Sequence, residues 1–212
     1  MTWWTRAITS SIGKKVLMAV TGLSFCGFLT IHLLGNLTLY GGREAFLAYA
    51  DKLHALGELL VAAEWGLLLF AAIHVVSGLT LFIQNWVARP LRYAVNKRGG
   101  GRTLGSITMP YTGILLLAFV VFHLLNFHFV DKTDTTIFEI VSNAFQSPLY
   151  VALYVAAMLA AAVHVSHGLW SAFQTLGANH PKYMPLIRGL GWCFSLIVAL
   201  GFGSLPIYIF II

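Results

Sequence analysis

The chain has 212 residues, of which 58% are hydrophobic and only 9% charged, with a mean hydropathy of +0.82 and a formal net charge of +6. A soluble domain carries about 25% charged residues, so this composition excludes an ordinary water-soluble fold and makes lipid the main solvent. The positive charge alone would suit nucleic acid, but its placement along the chain argues for a membrane instead.

The chain opens with MTWWTRAITSSIGKK. The apolar run behind these charges is about 25 residues long, exceeds the h-region of a signal peptide, and ends in no small-x-small site, so an uncleaved start is expected. Five apolar stretches follow, at about 15–40, 58–87, 108–130, 148–176 and 187–211, each long enough for the roughly 20 helical residues that cross a bilayer. Such runs are too long for barrel strands, and a backbone in lipid must satisfy its own hydrogen bonds. The expected fold is therefore an all-α integral membrane domain, residues 1–212, with five transmembrane helices. Between the spans, segments 43–57 and 134–147 space apolar residues at helical intervals (Phe46, Tyr49, Leu53, Leu56; Ile137, Phe138, Val141, Phe145). They read as short amphipathic helices on the outer surface. Cys26 and Cys193 stand singly in apolar runs, with no C-x-x-C-H and no zinc-type pair, and read as packed thiols.

Charge sets the expected orientation. With the N-terminus inside, the inward segments hold Arg6, Lys14, Lys15, Arg89, Arg92, Lys97, Arg98, Arg102, Lys182 and Arg188, ten of the 13 basic residues. All seven acidic residues (Glu44, Asp51, Glu58, Glu64, Asp131, Asp134, Glu139) fall outside. The positive-inside rule then predicts a cytoplasmic N-terminus, and the basic inner face suits a soluble partner or anionic headgroups.

The helices contain a repeat. TGLSFCGFLTIHLLGN (21–36) resembles TGILLLAFVVFHLLNF (112–127), and IHVVSGL (73–79) resembles VHVSHGL (163–169). His32 and His123 are 91 residues apart, and His74 and His164 are 90 apart. Helices I–II and III–IV thus look like two copies of one hairpin, with helix V outside the repeat. Depth sorts the same histidines. By helical rise, His32 and His123 lie roughly 25 and 21 Å from their inner ends, whereas His74 and His164 lie roughly 24–26 Å from their outer ends. The expectation is two imidazole pairs at levels roughly 15 Å apart.

Haem iron takes axial ligands above and below a flat ring, and a bis-histidine haem b needs one imidazole from each of two facing helices at one depth. His32 with His123 would hold an outer haem iron, and His74 with His164 an inner one, in a bundle of the first four helices. Gly78 and Gly168 follow their histidines by one turn. Gly22 and Gly113 precede theirs by ten residues, about 15 Å, where a missing side chain would leave room for a haem edge. A histidine in a membrane helix can also serve an interhelical contact or a proton relay. Zinc lacks a third ligand at either level. His167, one turn inward of His164, suits either a propionate or an interhelical contact. His54, His128 and His180 read as interfacial. Glu64 lies roughly 9 Å into helix II; it would either exchange protons with a quinone at the outer level or reach back to the interface.

The segments SSIGKKVLMAVTGL, IHLLGN, AEWGLLLFAAIHVVSG, ARPLRYAV and SPLYVALYVAAMLAAAVHVSHGLWS resemble the membrane-anchor cytochrome b of succinate:quinone oxidoreductases, more narrowly the single-subunit, five-helix, dihaem type. The resemblance covers about residues 10–210. It implies two haem b groups on the four histidines named above, and a flavoprotein with FAD and an iron–sulfur subunit docked on the cytoplasmic face. Electrons would pass between the clusters, the inner haem, the outer haem and a quinone, usually menaquinone, in the cell's inner membrane. A dimer of such heterotrimers stays open, as does the direction of catalysis. Some relatives carry a glutamate two residues before the helix IV ligand, where this chain has Ala162, so a proton path through that carboxylate is not implied. Two other readings stand beside this one: the cytochrome b of a membrane formate dehydrogenase or hydrogenase, and a transporter using the histidines as a relay.

Overall fold

The computed structural model describes residues 2–88 and 103–212. The basic residues Arg89, Arg92, Lys97, Arg98 and Arg102, and all of ARPLRYAV after Ala88, lie outside the described residues. Those described are helical with short connections and contain no strand. In chain order they are α1 (Trp3–Thr9), α2 (Ser11–Asn36), a 3-10 turn (Leu37–Gly41), α3 (Gly42–His54), α4 (Glu58–Val87), α5 (Leu104–His123) with a π-helical turn (Leu124–His128), α6 (Ile137–Phe145), α7 (Pro148–Thr175) and α8 (Met184–Ile211). Five helices, α2, α4, α5, α7 and α8, are long and apolar enough to cross a membrane, as a multi-pass membrane protein requires.

Capping groups set the helix ends, and they move several of them from where hydropathy alone puts them. The Ser10 hydroxyl accepts the Gly13 N–H at 2.9 Å and donates to the Ala7 carbonyl at 2.6 Å, so α2 starts at Ser11 rather than near 15. A Cβ at Gly13 would run into the Ala7 carbonyl, which explains glycine at this bend. Thr103 and Ser106 form a capping box that starts α5 at Leu104, ahead of the expected 108. Regular α5 stops at His123, and the last turn widens to π geometry instead of running on to 130.

The helices α2, α4, α5 and α7 pack in that order around a ring, α4 touching α5 only lightly. The diagonal partners, α2 with α5 and α4 with α7, have no comparable backbone packing. The Lys14 ammonium donates to Gln84 Oε1 at 2.8 Å and ties the start of α2 to the end of α4. Outside the ring, α8 lies along α7 and more lightly along α2. Small residues permit this approach: Ala157 and Ala161 are buried on α7, and a Cβ at Gly191 of α8 would sit 3.4 Å from the Ser166 carbonyl. Leu68, Leu69, Val76, Val120, Val121 and Leu200 point outward and are exposed, as lipid-facing residues are. The expectation of two packed thiols is corrected in part: Cys26 is half-buried, but Cys193 is exposed on α8 beside Trp192.

One end of the bundle carries all seven acidic residues, and here α3 and α6 close over the helices. Leu39, Phe46, Val141, Phe145, Tyr154, Leu205 and Ile209 form a continuous buried cluster. Arg43 donates to Glu139 at 3.4 Å, and the rings of Phe46 and Phe138 are 6.4 Å apart. The amphipathic segments expected at 43–57 and 134–147 are helical over 42–54 and 137–145. With Val141 and Phe145 in the cluster, α6 is built into the bundle rather than laid upon it.

Candidate metal centres

The four repeat histidines face one another in pairs across the two diagonals of the ring. His32 on α2 meets His123 on α5 with ring centroids 6.0 Å apart and planes at 88°. His74 on α4 meets His164 on α7 at 6.5 Å and 60°. Each pair therefore joins one hairpin to the other. Thr21 lies beside His74, eleven residues before His32 on the same helix, and Thr112 lies beside His164, eleven before His123. Both helices thus separate the two levels by about 16 Å.

Two threonines fix the His74 and His164 rings, and the sequence reading did not single them out. Thr21 Oγ1 lies 2.7 Å from the Leu17 carbonyl and 3.0 Å from His74 Nδ1. Thr112 Oγ1 lies 3.0 Å from the Thr108 carbonyl and 3.0 Å from His164 Nδ1. A hydroxyl has one proton. Donated to the carbonyl one turn back, as threonine commonly does in a helix, it leaves the oxygen to accept from the imidazole. This assigns the Nδ1–H tautomer to both histidines and leaves the Nε2 lone pairs unprotonated. The His74 ring also has the Met18 backbone as a hydrogen-bond partner, whereas Thr112 is the partner found for His164 among the described residues.

Gly22 and Gly113 lie at the level of the His74 and His164 pair, as expected, and their nearest neighbours there are the imidazoles. A Cβ at Gly22 would stand 3.3 Å from His74 Cε1, and one at Gly113 would stand 3.4 Å from His164 Cε1. Each glycine thus clears space for the neighbouring imidazole. Gly78 faces Met18 Sδ and Gly168 faces Met109 Cε, again in matching positions of the repeat. A repeated M-x-x-T-G at 18–22 and 109–113 was the available sequence signal.

The pair of His32 and His123 is held differently. Tyr154 Oη is 3.4 Å from His123 Nδ1, and the phenol is buried among Phe119, Phe122, Phe127 and Phe145. His32 stacks on Phe28 at 5.1 Å and lies 5.5 Å from Phe202 of α8. The Asn36 amide donates to the His32 carbonyl at 2.8 Å and comes only within 3.5 Å of the ring nitrogens.

The remaining candidates lie apart from these pairs. His167 Nδ1 is 3.2 Å from the Thr103 hydroxyl, and its ring meets the Trp170 face edge-on at 4.7 Å. It makes an interhelical contact at the start of α5. Glu64 Oε1 is 4.0 Å from His128 Nδ1, with both side chains a little under half exposed. His54 bonds back to the Ala50 carbonyl, and His180 accepts from the Lys182 N–H; both are exposed.

The chemistry of the donor set can be tested against an iron porphyrin. Among the described residues, no group of three or more His, Cys, Asp or Glu comes together. The donors at each level are two opposed imidazoles. The centroid separations of 6.0 and 6.5 Å are those of rings in direct contact and would also let one metal ion sit between each pair, with metal–nitrogen bonds of about 2 Å. Two imidazoles and no further protein donor at each level would suit an iron porphyrin, which brings its own ring nitrogens. Comparison with protein-family models, curated proteins and solved structures returned no match.

Proposed function

We propose that the chain is a dihaem cytochrome b, the membrane anchor of a succinate/fumarate:menaquinone oxidoreductase. His74 and His164 would hold the inner haem iron, and His32 and His123 the outer one. The observation that carries this reading is the double occurrence of opposed imidazoles at 6.5 and 6.0 Å, each bridging the two hairpins. When bound, each iron porphyrin supplies a one-electron centre inside the apolar bundle. The end bearing Arg6, Lys14, Lys15, Lys182 and Arg188 would face the cytoplasm and receive the iron–sulfur and flavoprotein subunits.

The chain's own residues then have distinct tasks. Thr21 and Thr112 keep the basic-end imidazoles in the ligating tautomer. The lipid-facing aliphatic surface keeps water from the histidines. Glu64, beside His128 at the acidic end, would take and return the protons that quinol oxidation or quinone reduction moves. The sequence motifs quoted above carry the narrower assignment to the succinate and fumarate enzymes.

A reduced-minus-oxidised spectrum of the purified protein, with a haem assay, tests the class. Two haems b per chain are expected, while a colourless protein would favour the histidine relay. Copurification of flavin and iron–sulfur subunits tests the narrower assignment; formate dehydrogenase or hydrogenase partners would replace it.

A further inference from the structure

The basic-end histidines share a feature that the acidic-end pair lacks. In each hairpin a threonine hydroxyl, anchored to its own helix backbone, lies 3.0 Å from the imidazole Nδ1 presented by the partner helix. The two threonines are 91 residues apart and occupy equivalent places in the repeat. Thr21 is itself buried. Each has a glycine next in sequence, and that glycine lets the ring lie flush against the helix. At the acidic end the corresponding partners are a phenol 3.4 Å from His123 and an amide 3.5 Å from the His32 ring, both long for hydrogen bonds.

We infer that Thr21 and Thr112 are positioning residues that tune the basic-end metal centre, and that the Thr-Gly pair makes the two centres inequivalent. This rests on the dihaem reading above. An imidazole whose Nδ1–H donates to a well-placed acceptor gains electron density at Nε2. A richer donor stabilises ferric over ferrous iron, so the hydroxyls lower the midpoint potential of the basic-end haem. Because both axial ligands carry the same bond, the two effects act on one iron and add. The anchored hydroxyl also resists rotation of the ring, because its own proton is held by the Leu17 or Thr108 carbonyl.

Redox titration of the purified complex, followed in the haem absorption bands, tests this. The basic-end component is first identified as the one that His74→Ala removes. Thr21→Val and Thr112→Val should each raise that component's midpoint potential, the double variant should raise it further, and the other component should stay in place. Thr21→Ser and Thr112→Ser keep the hydroxyl and should restore the wild-type value. Loss of only the basic-end haem in the valine variants, with retention in the serine variants, would also support the inference. Unchanged potentials with two haems present would overturn it, as would equal shifts of both components or serine variants that behave like valine. Absence of haem from the wild-type protein would instead defeat the dihaem reading.

Discussion

His164 and His167 lie three positions apart on α7, and that offset puts the two rings to different uses. His164 faces His74 across the bundle, its Nδ1 engaged by Thr112. His167 points to the start of α5, where it meets Thr103, and its neighbour Trp170 carries the Arg188 guanidinium 4.7 Å over its ring. Under the dihaem reading, His164→Ala should lose one of two haems, whereas His167→Ala should keep both and loosen the contacts with Thr103 and Trp170. Haem stoichiometry by pyridine haemochrome distinguishes the two, and one haem in the His167 variant would reassign the ligand. Glu64 tests the opposite end. If the proposed function holds, Glu64→Gln removes a proton-exchanging carboxyl but little volume, so quinone turnover should fall about a hundredfold while both haems remain. Wild-type turnover would leave Glu64 as an interfacial carboxylate.

Helices illustrate what hydropathy reads and what it cannot. The five spans were legible because their apolar runs exceed what any other element needs. Their ends were not, because Ser10, Thr103 and Ser106 stop or start a helix by hydrogen bonds that carry almost no hydropathy signal. Helix α6 shows the same at the acidic end. Thr136 and Glu139 form a capping box, with the Glu139 carboxylate accepting the Thr136 N–H at 2.9 Å. That backbone bond, then the Thr136 hydroxyl and Arg43, holds the Glu139 carboxyl below its usual pKa. A depressed carboxyl pKa stabilises the fold above the unfolded value and loses that contribution as pH falls through the folded one. The start of α6 should thus fray in acid, below the ordinary glutamate range, and not at neutral pH. Thr136→Ala should cost α6 about 1 kcal/mol at neutral pH, and less in acid, where the Glu139 carboxyl that its hydroxyl also engages is protonated. Hydrogen exchange of the Glu139 and Ile140 amides would register both effects; protection unaltered by acid or by the substitution would refute them.

At the scale of the whole molecule, the sequence repeat foretold which histidines meet, because two copies of one hairpin place equivalent residues at equivalent depths. It did not reveal the ring order, in which those histidines sit on diagonal helices, nor the threonine partners. Both require knowing which helix faces which, and an apolar helix in lipid offers no buried stripe from which to read its neighbours. The glycines show the same limit: their periodicity was visible, but only packing revealed that Gly22 and Gly113 accommodate imidazoles.

The light contact between α4 and α5 has a consequence for assembly. Among the described residues, α7 is gripped from three directions, by α5, α2 and α8, whereas α4 packs mainly on α2. Under the dihaem reading, the bond from His74 through iron to His164 would be the main tether drawing α4 inward. Protein produced without haem should then show α4 amides exchanging far sooner than those of α7, and the difference should shrink once the porphyrin is restored. Equal exchange in both helices would mean that the bundle closes without its prosthetic groups. If the difference is found, the cell would have a built-in inspection step: a chain that has not received its iron leaves one apolar helix loosely attached, open to membrane proteases before any partner subunit commits to it.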